Sequence, residues 1–117
     1  MAFYRCGSGG GTKGTTGIIT LDSSATTTKI KTGFKPSAVI LYHLNNSQLP
    51  EHKQIYDSRI STTKFVWCNG AMIGSWVNLS NASTYTQGFL CEINNDGFTL
   101  AKGTGYGVGP WYYVASE

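Results

Sequence analysis

Beyond Gly17 the chain alternates between short runs rich in Thr, Val, Ile and aromatic residues and clusters of turn residues, at about the 8–12 residue spacing of an all-β sandwich or barrel. These runs predict strands from Ile18 to Leu21, Thr26 to Thr32, Ala38 to Leu44, Gln54 to Arg59, Lys64 to Cys68, Met72 to Leu79, Phe89 to Asn94, Phe98 to Lys102 and Trp111 to Ala115. Two connections bring their own turn chemistry, because Asn69-Gly70 and Asp96-Gly97 are dipeptides that accept the positive φ angles of a tight hairpin. With Asp96 and Gly97 as a two-residue loop, Ile93 falls opposite Leu100, and Phe89, Cys91, Ile93, Phe98 and Leu100 share a core face. Glu92, Asn94 and Thr99 then take the opposite, solvated face. No window of about eleven residues shows a helical apolar period, and the nearest approach, Ser47 to Tyr56, is broken by Pro50. The expected fold is an antiparallel β-sandwich, jelly-roll-like or lectin-like.

The stretch from Cys6 to Gly17 is almost all Gly, Ser and Thr, with no side chain large enough to bury and much backbone freedom to lose on ordering. It divides the chain into a flexible glycine-rich arm, residues 1–17, and a sandwich domain, residues 18–117. Phe3, Tyr4 and Arg5 at the tip of that arm either contact a neighbouring molecule or fold back on their own domain. Glycine also occupies every second position from Gly103 to Gly109, a pattern that serves either a mobile loop or a bare surface for another subunit's arm.

Composition narrows the classes further. A chain of 117 residues is one domain's worth, and only 13% of its residues are charged, about half the usual share. The net charge of +3 is uneven: residues 1–65 hold eight Lys or Arg against three acids, or +5, and residues 66–117 one Lys against three acids, or −2. A nucleic-acid binder carries a denser basic stripe, so no nucleic-acid partner is expected. No apolar run approaches the roughly 20 residues of a membrane span, and the N-terminus lacks the apolar stretch of a secretory signal. The chain is expected to be made in the cytosol without a signal peptide and to have no membrane partner. Cys6, Cys68 and Cys91, odd in number and widely spaced, fit reduced thiols better than a disulfide framework or a metal motif.

Candidate chemistry is sparse. Thr12-Lys13-Gly14 does not complete a phosphate loop, and the late glycine repeat lacks both the spacing and the βαβ context of a dinucleotide site. His43 lies on a strand with Val39 and Leu41 on its face, and His52 lies in a loop; neither has a nucleophile and an orienting group at recognisable spacing. Catalytic, cofactor and metal sites are therefore not expected, and the chain does not read as an enzyme. Its 3 Trp, 7 Tyr and 5 Phe favour recognition by surface instead. Trp67 and Trp111 are expected to fill the sandwich. Trp76, Tyr85 and Tyr106 are the candidates for contact with a protein or, by stacking on a pyranose ring, with a glycan.

Gly33-Phe34-Lys35-Pro36 leading into the apolar run from Ser37 to Tyr42, then Gly97-Phe98-Thr99-Leu100 and a closing Trp111-Tyr112-Tyr113-Val114-Ala115, resemble the small β-sandwich virion proteins of tailed bacteriophages. The resemblance covers the chain from Gly33 to its last residue. It implies that the Gly-Phe-x-Pro element opens a central strand beside which the closing strand runs. It also implies a virion structural protein in a tail, fibre or head-decoration position, made in the host bacterial cytoplasm. Its partners would be other virion proteins, further copies of itself, with a trimer favoured, and a host surface glycan in the case of receptor binding. No catalytic residue comes with the resemblance.

Overall fold

A computed structural model describes residues 13–20, 26–43, 53–68, 75–79, 89–101 and 110–117. Within them the β-branched and aromatic runs form β1 (Gly14–Ile19), β2 (Thr27–Lys31), β3 (Ala38–His43), β4 (Lys53–Asp57), β5 (Lys64–Cys68), β6 (Ser75–Asn78), β7 (Phe89–Asn94), β8 (Gly97–Ala101) and β9 (Trp111–Ser116). They make a six-stranded sheet in the order β1-β9-β3-β4-β5-β6 and a three-stranded sheet in the order β2-β8-β7. All the pairings are antiparallel. The protein is an all-β sandwich, and among the described residues no helix is long and apolar enough to cross a membrane. The chain changes sheet from β1 to β2, from β2 to β3, from β6 to β7 and from β8 to β9. Between the second and third of these changes β3 to β6 run as a meander, which leaves the sheets unequal.

The apolar run of β3 is explained by its place. It lies between β9 and β4, and Ala38, Val39, Ile40 and Leu41 are all buried. Residues 33–36 lead into it: Gly33 has a φ of 86°, which only glycine adopts without strain. Phe34 and Pro36 beyond it are buried. The backbone N–H groups of Thr32 and Gly33 donate to the Asp96 carbonyl at 2.8 and 3.2 Å, tying this lead-in to the β7–β8 hairpin.

Val39, Leu41, Tyr56, Phe65, Trp111, Tyr113 and Ala115 from the larger sheet pack against Leu90, Phe98 and Leu100 from the smaller one. Tyr113 meets Phe98 edge to face, with ring centroids 5.3 Å apart. One polar group crosses the core: the buried Gln54 side chain accepts a hydrogen bond from the Leu90 N–H at 2.8 Å, joining β4 to β7 between the sheets. Trp111 is fully buried and Trp67 packs partly buried against the core.

Three expectations need correction. Residues 14–17, assigned above to the flexible arm, are the first part of β1, paired in register with β9 from Gly14 opposite Ser116 to Ile19 opposite Trp111. Gly17 is bare for a packing reason: a Cβ there would stand 2.8 Å from the Tyr113 ring. The hairpin between β7 and β8 turns at Asn95 and Asp96, so that Ile93 faces Phe98 rather than Leu100. Gly97 belongs to the strand, where a Cβ would collide with the Ile30 backbone carbonyl of β2. Finally, the β7 register shifts between Leu90 and Glu92, and Leu90 is the fully buried residue, opposite Leu100. Thr99, expected in solvent, is buried and donates its hydroxyl to Asn94 Oδ1 at 2.8 Å.

Candidate functional site

In a strand every second side chain points to the same face, so the pairing register determines what the outer face of the six-stranded sheet presents. One row crosses all six strands: Thr16, Val114, Ile40, Ile55, Val66 and Trp76. The next runs through Ile18, Tyr112, Tyr42, Lys53 and Cys68. Tyr42 and Tyr112 lie against each other with ring centroids 6.1 Å apart. The band ends in two exposed apolar residues on the sheet's edge strands, Ile18 at 69% exposure on β1 and Trp76 at 54% on β6. At standard strand spacing the first row spans about 24 Å across the strands, and the two rows lie about 7 Å apart along them.

One charge, Lys53, stands within the second row, and others lie at the rim. In the flanking row, beside Gly14, Ser116 and Ala38, Asp57 receives the Arg59 guanidinium in a two-point contact, Nε to Oδ1 at 3.0 Å and Nη2 to Oδ2 at 2.7 Å. This contact holds the Asp57 carboxyl below its ordinary pKa, against the opposing effect of burial. The same carboxylate accepts the Arg59 N–H at 2.9 Å, and the Asp57 carbonyl accepts those of Ile60 and Ser61, closing the turn into β5. An apolar centre with a polar rim is the anatomy of a protein contact surface.

A cleft of about 600 Å³ opens elsewhere, lined by Lys35, Ser37, Tyr56, Thr62, Cys91 and Glu92 among others. Burial, with the charge of Asp57, pushes the Tyr56 phenol up, and burial with the charge of Glu92 pushes the Cys91 thiol up to about 11. Both groups keep their protons at neutral pH, which makes them hydrogen-bond donors and poor nucleophiles. Among the described residues no cluster of His, Cys, Asp and Glu could hold a metal ion, and Cys68 and Cys91 are free thiols.

Of the residues picked from the sequence, Trp76 stands on the outer band, half exposed, and does not line the cleft. Phe3, Tyr4, Arg5, Tyr85 and Tyr106 lie outside the described residues, as do Cys6, His52, the Asn69-Gly70 turn and the glycine repeat. The sequence reading missed the rest of the band, although a signal was present. A half-buried strand alternates, yet β3, β5 and β9 are apolar at both parities, and β4 inverts, with Gln54 buried inside and Ile55 outside. No family model, curated protein or solved structure matches the chain.

Proposed function

We propose that the chain is a non-enzymatic structural component of a tailed-phage particle, in a tail, fibre or head-decoration position, that assembles with other virion proteins and with copies of itself. The observation that carries the assembly part is the apolar band from Ile18 to Trp76 on the outer face of the six-stranded sheet. Ile18 and Trp76 are exposed at its ends, Val114, Ile55, Val66, Tyr42 and Tyr112 are half-buried and Ile40 is buried; the apolar area left in water costs free energy that a partner would recover. The assignment to a virion rests on the resemblance above; residues 33–36 opening β3 and β9 running beside it support that reading.

The test is recovery of the chain from purified particles. Wild-type chain is expected in the particles as a stoichiometric component, and Val66→Lys, which puts a charge in the middle of the band, is expected to fold and to be left out. Absence of the wild-type chain, or normal incorporation of folded Val66→Lys, overturns the proposal. Contribution of Phe3 to Arg5 is tested separately by deleting residues 1–12; a longer deletion would cut into β1.

A glycan-binding receptor module is the second reading, favoured by the hydroxyl-lined cleft, where Ser37, Ser58, Thr62 and Thr63 stand near Glu92. It predicts saturable binding to purified host-wall polysaccharide that weakens in Glu92→Ala; no saturable binding rules it out.

A further inference from the structure

Among the described residues each sheet ends in two edge strands, and three of the four carry features that keep other strands away. β2 presents Lys29 and Lys31, both exposed. β7 has a register irregularity near Cys91 and an exposed Glu92. Within the described residues β6 is 4 residues long. Charges, bulges and shortness are the usual protections of a sheet edge. β1 has none of them: it runs 6 residues without charge, proline or bulge and leaves Ile18 69% exposed. Among the described residues nothing pairs with its outer side.

One hydrogen bond determines where its backbone groups point. The Glu117 N–H donates to the Lys13 carbonyl at 2.8 Å, in line with the β1–β9 register. Bonded and non-bonded pairs alternate along an antiparallel ladder, so Thr15, Gly17 and Ile19 bond to β9. The N–H and C=O groups of Gly14, Thr16 and Ile18 therefore face the open edge.

We propose that this edge pairs with β1 of a second copy of the chain, antiparallel about a two-fold axis at Thr16, so that two six-stranded sheets join. The inference rests on the assembly reading above and names one partner for it. In this register Thr16 faces the partner's Thr16, and Gly14 and Ile18 face the partner's Ile18 and Gly14. Each pair exchanges both of its bonds, so every outward group of the three residues is satisfied. Bare Gly14 leaves room beside the partner's Ile18, and the apolar band continues across the axis. Charge favours self-pairing here as well: β1 meets itself without repulsion, whereas β2 paired with itself would bring lysines together.

Light scattering on the full chain tests this. The wild type is expected at twice the chain mass. Thr16→Pro removes an N–H that β9 does not use, so the fold is retained while the central donor is lost, and the mass is expected to halve. Thr16→Val keeps the N–H and is expected to stay paired. Ile18→Lys, at an exposed position that tolerates charge, is expected to weaken pairing about tenfold or more and serves if the proline variant does not fold. Wild-type chain at one or three chain masses up to its solubility limit overturns the proposal, as does a folded Thr16→Pro still at twice the mass. Val66→Lys separates the two claims. Pairing lost in Thr16→Pro but kept in Val66→Lys supports the edge. Pairing lost only in Val66→Lys leaves the face as the contact and refutes the edge.

Discussion

The polar link through the core gives the sharpest stability prediction. Gln54 is 1% exposed and Leu90 is fully buried, so no solvent can replace the 2.8 Å bond between the Gln54 side-chain oxygen and the Leu90 N–H. Gln54→Leu keeps the approximate volume and removes the acceptor, leaving a buried backbone donor unpaired at a cost of about 1–3 kcal/mol. For a chain of 117 residues each kcal/mol lowers Tm by about 4 °C, so the variant is expected to melt about 4–12 °C below the wild type. Unfolding followed by tryptophan fluorescence reads this directly, since Trp111 is fully buried in the same core. Gln54→Glu keeps an acceptor but brings in a carboxyl whose pKa burial raises in the folded state. Its deficit against the wild type is therefore smallest below about pH 4 and grows as pH rises toward the folded-state pKa. A Gln54→Leu variant melting within a degree of the wild type, with equal cooperativity, would show that the Leu90 N–H does not depend on Gln54 and refute the reasoning.

Gly97→Ala is expected to cost on the order of 3 kcal/mol or more, because its Cβ would meet the rigid Ile30 carbonyl rather than a movable side chain; urea unfolding of the purified variant would show the shift, and an unchanged midpoint would count against the β2–β8 geometry. Arg59→Ala should return the Asp57 carboxyl toward its ordinary pKa. Since a lowered folded-state pKa stabilises above the unfolded value and the benefit vanishes as pH falls through the folded one, the gap between wild type and variant should be present at pH 7 and close at pH values below the ordinary range of Asp; NMR titration of the carboxyl is the direct check. Cys91, with its thiol moved from 9.0 to about 11, holds about 100-fold less thiolate near pH 8 than an unperturbed thiol. Iodoacetamide should therefore label it about 100-fold more slowly in the native chain than in urea by peptide mass mapping, and equal rates would contradict its burial.

The sequence alone was enough for much of what depends on near neighbours along the chain, though it placed the β7–β8 turn one residue late. The all-β class, the absence of a helical period among the residues now described, and strands such as β5 and β7 follow from residue type, alternation and turn chemistry, and they form over the expected residues. Tertiary structure decided whatever depends on which strand lies next to which. Gly17 and Gly97 look from the sequence like linker and turn; they are strand residues, bare because Tyr113 and the Ile30 carbonyl come from remote segments to occupy the space. Gln54 looks like a surface residue until β7 passes over it with an N–H to satisfy. The outer band was written in the failed alternation of β3, β4, β5 and β9, but its extent became visible only through registers that align Thr16, Val114, Ile40, Ile55, Val66 and Trp76 in one row. Strand periodicity is a local property of the chain, whereas a face is a sum over pairings between segments as far apart as β1 and β9, and only the folded chain specifies those.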